Sequence, residues 1–323
     1  MRILLVKTSS LGDVIHNLPV AADLARRFPG VEIDWCVEEA FADVPRLSPA
    51  VRETIPVAVR RWRKQLFSAA TWREIGALRR RLAGGAYDAV LDTQGLLKSA
   101  LIAAGAGGQR LGHDRDSARE PLAARFYDRS FFIPRELHAV ERNRQLAAAA
   151  FGYALPPALD YGIAAPEVAA PWLPAVQPAL PLAVLLTATS RDDKLWPEAD
   201  WIALGRALVQ RGLKPVLPAG SEAERERAAR IAQAIGNDAV VAPPLSIREL
   251  AGILGRAKLA VGVDTGLAHL AAALKVPTVA LYTATDPALT GVAGAGFARN
   301  LGKAGQAPAV AEVLAVADEA LVG

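Results

Sequence analysis

A single cysteine in 323 residues leaves no disulfide to form and no cysteine pair to hold zinc. Cys36 lies in the strand-like EIDWCVE and reads as core, and a lone thiol agrees with a reducing compartment. Long apolar runs are lacking too. The stretches 146–155 and 180–188 fall well short of the roughly 18 residues that span a bilayer. At the N-terminus, MRILLVK places four apolar residues before Lys7, too few for a secretory signal, so the chain is expected to stay in the cytoplasm. Also missing are GxxxxGK[ST], HExxH and a GxGxxG after the first strand, which removes support from kinase-like, zinc-hydrolase and ordinary dehydrogenase chemistry.

What is present is globular: 52% apolar and 22% charged residues, enough apolar side chain for two cores of about 150 residues each. A net charge of +4 and a pI near 9.3 suggest an acidic partner, without separating nucleic acid, anionic lipid and phosphorylated metabolite.

Strand and helix patterns alternate along both halves, which implies parallel, doubly wound sheets. In the first half, strands are expected at 2–7, 31–37 and 89–93, and helices at 13–27 and 72–82. The second half restarts with strands at 182–187, 214–218, 240–242, 259–263 and 278–282, and helices at 197–211, 221–234, 246–256 and 267–274. Between them, prolines at 156, 157, 166, 171, 174, 178 and 181 suit no helix interior. The expected division is therefore a first domain over 1–160, a linker over 161–181 and a second domain over 182–323, whose C-terminal helix is free to pack back on the first. Two such sheets facing each other across a cleft would bind ligands at the carboxyl ends of their strands.

Four segments carry polar chemistry at such ends. In VGVDTGLAHLAAAL (261–274) a strand ends at Asp264 and a helix starts just after Gly266. The free amides of its first turn and the dipole suit a diphosphate, and Gly266 lets it approach the backbone; an ordinary capped helix with a packed His269 is the plainer reading. TATSRDDKLWPEADW (187–201) brings hydroxyls at Thr187, Thr189 and Ser190 and the cation Lys194 after a strand, again suited to phosphate oxygens, or else a capping segment with a solvated lysine. KTSSLGDVIHNLP (7–19) places Asp13 at a helix start, where the dipole keeps a carboxylate ionised as a base or where it simply caps the helix; His16 follows it on the same face. RRWRKQLF (60–67), with Lys98 and the arginines of 110–119, suits an anionic surface or acceptor, with a solvated helix face as the alternative. Asp114 and Asp116 form an Asp-x-Asp pair, but among arginines and apart from the phosphate-prone loops; it reads as surface salt bridging, and no metal is expected.

Taken together, ILLVKTSSLGDVIHNLP, LDTQGLLKSAL, ATSRDDKLWPEADW and DTGLAHLAAALKVPTVALY resemble the lipopolysaccharide heptosyltransferase I group of the ADP-heptose heptosyltransferases, over nearly the whole chain. The resemblance implies a GT-B fold of two Rossmann-like domains, ADP-L-glycero-β-D-manno-heptose as donor, the inner Kdo of Kdo2-lipid A as acceptor, no cofactor, and a peripheral position on the cytoplasmic face of the anionic inner membrane. It places Asp13 as catalytic base. Thr189, Ser190, Lys194, Asp264, Thr265, Gly266, Leu267 and His269 fall on donor positions, with Glu224, or Glu222, at the ribose. Arg60, Arg61, Arg63, Lys64, Lys98, Arg119 and Arg142 match the cationic acceptor surface. Two departures stand out: Ser190 replaces a threonine, and LYTATDP (281–287) carries Thr283 and Ala284 where Gly-Pro is usual. Competing readings are a second heptosyltransferase acting on a heptosylated core and a non-catalytic protein that binds nucleotide-sugar or anionic lipid. Nucleic acid is disfavoured, since no nucleic-acid module accompanies the basic residues.

Overall fold

The computed structural model describes residues 1–173 and 180–322, so Pro174 and Pro178 of the expected linker lie outside the described residues. The chain divides into two compact units, Met1–Ile163 and Ala164–Gly323. The first holds β1 (Arg2–Val6), β2 (Glu32–Glu38), β3 (Val51–Val57), β4 (Ala89–Asp92), β5 (Gln109–His113) and β6 (Arg129–Phe131), all parallel, in the order β3-β2-β1-β4-β5-β6. The second holds β7 (Leu182–Leu186), β8 (Lys214–Leu217), β9 (Val240–Val241), β10 (Ala257–Val263), β11 (Thr278–Tyr282) and β12 (Ala298–Gly302), ordered β12-β11-β10-β7-β8-β9. Counted from its own first strand, the second sheet has the same topology as the first. Both are the doubly wound order in which chain direction across the sheet reverses beside the first strand.

Central strands are covered by helices on both faces, so they carry near-continuous apolar runs, ILLV, LAVLL and VALY, all buried. The edges look different. β3, VRETIPV, alternates in exposure and carries Pro56, tolerated there because an edge strand has amides to spare. β12, ARNLG, is polar for the same reason. Inside the first sheet, β5 runs QRLGH, and the ring of Tyr127 occupies the space a side chain at Gly112 would need.

The helix expected over 13–27 is two helices, Leu11–Ile15 and Leu18–Arg27. Pro19 cannot supply an amide to a continuous ladder, and it sits instead in the first turn of the second helix. That helix packs against Ala139–Phe151 through a buried ion pair, Arg144 Nε to Asp23 Oδ2 at 2.7 Å, and Arg144 also donates to the carbonyls of Pro156 and Ala158.

The proline-rich segment is not wholly a connector. Gly252 and Gly255, at the end of the helix Ile247–Leu254, leave room for Val168 and Ala165, so residues 165–168 pack into the second unit. The C-terminal helix Val310–Val322 lies within the second unit, with Val313, Ala317 and Ala320 buried in its core. Among the described residues no helix is long and apolar enough to cross a membrane.

Arg144→Ala leaves the Asp23 carboxylate buried without its partner and is expected to lower unfolding stability by about 3 kcal/mol or more. Arg26→Ala, at the exposed pair with Asp160, should cost under about 1 kcal/mol in the same urea titration. Equal losses would contradict this account of the first unit.

Candidate functional site

In each sheet the loops leaving the two strands at the reversal point diverge, and the side chains they carry gather there. In the first unit those loops follow β1 and β4. Lys7, the first residue after β1, is buried and donates to Thr93 O at 2.9 Å and Asn143 Oδ1 at 3.3 Å. Burial pushes its ammonium down to about 8, against the opposing pull of Asp13. Asp13 sits in the first turn of Leu11–Ile15. Its Oδ2 accepts the Ser10 amide at 2.9 Å and hydroxyl at 3.0 Å, and its Oδ1 accepts Arg119 Nη2 at 3.0 Å. Burial by itself would raise this carboxyl; the charges of Lys7 and Arg119 and the Ser10 bonds outweigh it and hold the group below its ordinary value.

The loop after β4 fixes the loop after β1. Gln94 Oε1 accepts the Thr8 amide at 2.7 Å and hydroxyl at 2.8 Å, its Nε2 donates to Ser9 O at 3.0 Å, and Lys98 Nζ donates to Ser9 Oγ at 2.8 Å. Asp92 anchors the clasp by accepting the Gln94 amide and the Tyr127 hydroxyl, each at 2.8 Å. Arg142 lines the same hollow as Lys7, Asp13 and Arg119, and donates to Ser117 O at 2.8 Å. His113 also lines it; burial, with Arg142, Lys7 and Arg119 nearby, depresses its imidazole to about 3, so the ring is neutral at physiological pH. His16 is buried, its ring edge-on to His138.

The RRWRK segment is less uniform than a cationic patch. Arg60 and Lys64 line a shallow groove with the buried Glu38, which accepts the Arg60 amide at 2.9 Å, and the Arg60 guanidinium lies over the Phe41 ring. Arg61 is held at the surface by ion pairs to Glu39 and Glu74. Trp62 is drawn inward by a 2.7 Å bond from Nε1 to Glu74 Oε2, so it does not project beside Phe67. Arg63 and Lys64 are exposed. The expected salt bridging at Asp114 and Asp116 is corrected: Asp114 Oδ1 accepts the amides of Asp116 and Ser117 and closes a turn, and neither aspartate makes an ion pair among the described residues.

In the second unit the loops follow β7, β10 and β11. Lys194 Nζ donates to Asp264 Oδ2 at 2.7 Å, and the Thr285 hydroxyl donates to the same oxygen at 2.7 Å. Thr189 Oγ1 donates to Asp264 O at 2.9 Å, while Ser190 is exposed beside it. The helix Gly266–Ala273 begins next to this group. Thr265, at its N-cap, makes no capping bond, and the Asp264 carboxylate is engaged elsewhere, so no side chain caps the helix. That favours the anion-site reading over the ordinary capped helix. Leu267 lies half-buried in the first turn and His269 is buried behind it. Thr283 donates to Asp193 O at 2.9 Å, which ties the departing LYTATDP loop to the lysine loop. Glu224 closes a capping box: its Oε2 accepts the amides of Gly220 and Ser221, at 2.8 and 3.1 Å, and Glu222 is exposed one position into the helix.

Sequence reasoning missed Lys7, Gln94, Asn143 and Thr285. Lys7 left a signal, a lysine placed directly after the apolar first strand; Asn143 and Thr285 left none, since their roles depend on partners 136 and 21 residues away.

The sequence profile of glycosyltransferase family 9 (heptosyltransferase) matches residues 75–313. The chain belongs to this family. Among the family's relatives, it is 49% identical to lipopolysaccharide heptosyltransferase 1 of Pseudomonas aeruginosa over 91% of this chain and 82% of that protein. Identity to the Salmonella typhimurium protein of the same name is 48%, over 93% and 92%. The structure of E. coli heptosyltransferase WaaC with ADP superposes with a TM-score of 0.91 at 43% identity, over 99% of this chain and 100% of that one. As a family 9 member the chain is a glycosyltransferase with two Rossmann-like units of the GT-B class.

In this heptosyltransferase, removing the Arg119 charge takes away one of the influences that lower the Asp13 carboxyl, so the group should titrate at higher pH. Carbon-13 NMR of the carboxyl in Arg119→Ala, assigned by its loss in Asp13→Asn, is expected to show the upward shift of the midpoint; an unmoved midpoint would contradict the electrostatics described.

Proposed function

We propose that the protein transfers L-glycero-D-manno-heptose from ADP-L-glycero-β-D-manno-heptose to the inner Kdo of Kdo2-lipid A, with inversion, in lipopolysaccharide inner-core biosynthesis. The observation that carries this reading is the division of polar chemistry between the units: a carboxylate held ionised in the first, an anion-prone helix start beside a lysine and hydroxyls in the second. Relatives at 46–49% identity are named lipopolysaccharide heptosyltransferase 1, and a WaaC structure at 42% identity contains ADP-2-deoxy-2-fluoro heptose. Likeness to E. coli heptosyltransferase II, at 22% identity, speaks for the fold alone.

In this reading Asp13 is the base. Three hydrogen bonds leave its carboxylate an acceptor site for the proton of the Kdo hydroxyl. The oxygen so released attacks the anomeric carbon from the face opposite ADP, forming the new C–O bond as the old one breaks. The bonding pair leaves on the diphosphate. Lys194, now paired with Asp264, the hydroxyls of Thr189 and Ser190 and the amides at Thr265, Gly266 and Leu267 would meet that charge without a metal ion. His269 supports this loop from behind, and Glu224 or Glu222 takes the ribose hydroxyls. Arg60, Arg63, Lys64, Lys98, Arg119 and Arg142 orient the acidic acceptor; Arg61 acts on it indirectly, by fixing the segment. The protein works at the cytoplasmic face of the inner membrane as a peripheral, electrostatically held enzyme.

Release of ADP from ADP-heptose tests the reading. It should require Kdo2-lipid A, persist in EDTA, and fall on the order of a hundredfold in Lys194→Ala. Release that ignores the acceptor, or that EDTA abolishes and magnesium restores, would overturn it.

A further inference from the structure

Phe67 is 105% exposed, Leu66 51% and Trp72 59%, three large apolar side chains within seven residues. They sit where the chain passes from the short helix Val59–Trp62 into the helix Ala69–Ala83. Trp72 is not loose. Its Nε1 donates to Leu66 O at 2.8 Å, so the indole is tied to the turn that presents Leu66 and Phe67. Burial in the protein gives no reason for these residues, since the neighbouring Trp62 already supplies the apolar contact to the core below.

Charge around the turn is one-sided. Between residues 60 and 73 the chain carries Arg60, Arg61, Arg63, Lys64 and Arg73 and no acid. Arg61 is neutralised by Glu39 and Glu74, whereas Arg63, Lys64 and Arg73 are exposed. A second copy of the same face would set these cations against each other, which costs free energy. An anionic bilayer meets both halves of the pattern: phosphate headgroups for the cations, and the acyl boundary for indole, phenyl and isobutyl groups.

We infer that the 66–72 turn is an apolar tip that inserts into the anionic bilayer, with Leu66, Phe67 and Trp72 below the headgroups and Arg63, Lys64 and Arg73 among them. The inference deepens the peripheral reading above, and rests on it, by adding penetration to an electrostatic contact.

The chain itself offers a clean test, because its one cysteine, Cys36, is buried and burial pushes its thiol up to about 12. Phe67→Cys in the full chain can thus be labelled with an environment-sensitive fluorophore at one position, with Glu222→Cys as an exposed control. Vesicles containing phosphatidylglycerol should shift the emission at position 67 to the blue and shield it from aqueous iodide, while position 222 stays unchanged and phosphatidylcholine vesicles have no effect. Unlabelled Phe67→Ser should bind the anionic vesicles at least about tenfold more weakly. Salt-sensitive vesicle binding with the label at 67 still quenched by iodide would overturn insertion and leave the electrostatic contact standing. Absence of binding to either vesicle would overturn both.

Discussion

Charge removed from water must find a partner inside the protein, and that constraint organises each part of this molecule. In the first unit Arg144 answers Asp23 where two helices meet, and Arg2 of β1 and Arg52 of β3 converge on Asp34 of the strand between them, at 3.0 and 2.7 Å. At the reversal point of the same sheet the balance is deliberately incomplete. Asp13 has cations on two sides and stays ionised, while burial, with Arg119 and Arg142 nearby, pushes Lys7 toward losing its proton against the pull of Asp13.

The second unit solves the same problem with a lysine–aspartate pair, which in the proposed reading the donor diphosphate opens. Lys194 and Asp264 satisfy each other, and Thr285 adds a hydroxyl to the shared oxygen. An arriving diphosphate would take the lysine and leave Asp264 able to receive sugar hydroxyls. In the proposed reading, one topology, used twice, presents a proton acceptor from one copy and an anion receptor from the other. Both arise from loops at the carboxyl ends of parallel strands, and the difference lies in the loop residues alone.

Fold class and most strands were legible because a buried parallel strand needs a near-continuous apolar run, as in ILLV, LAVLL and VALY. Where a strand lies at an edge or carries polar residues the signal fades: Pro56 hid β3, and QRLGH and ARNLG hid β5 and β12. At the sites, loop residues such as Asp13, Lys194 and Asp264 announced themselves by type and position. Their partners did not. Gln94 and Asn143 matter through contacts 86 and 136 residues distant, and no local pattern could tell that Arg61 is spent on Glu39 and Glu74 whereas Arg63 and Lys64 face solvent.

The claim on which the account turns is that proton removal belongs to the first unit and donor binding to the second. Asp13→Ala measures this most directly when donor affinity, by calorimetry with ADP-heptose, is compared with the rate of transfer to Kdo2-lipid A on the same preparation. The account predicts affinity within about twofold of the parent and a rate reduced on the order of a thousandfold, as for loss of a general base. Transfer near the parent rate, or a loss explained by weakened donor binding, would contradict it.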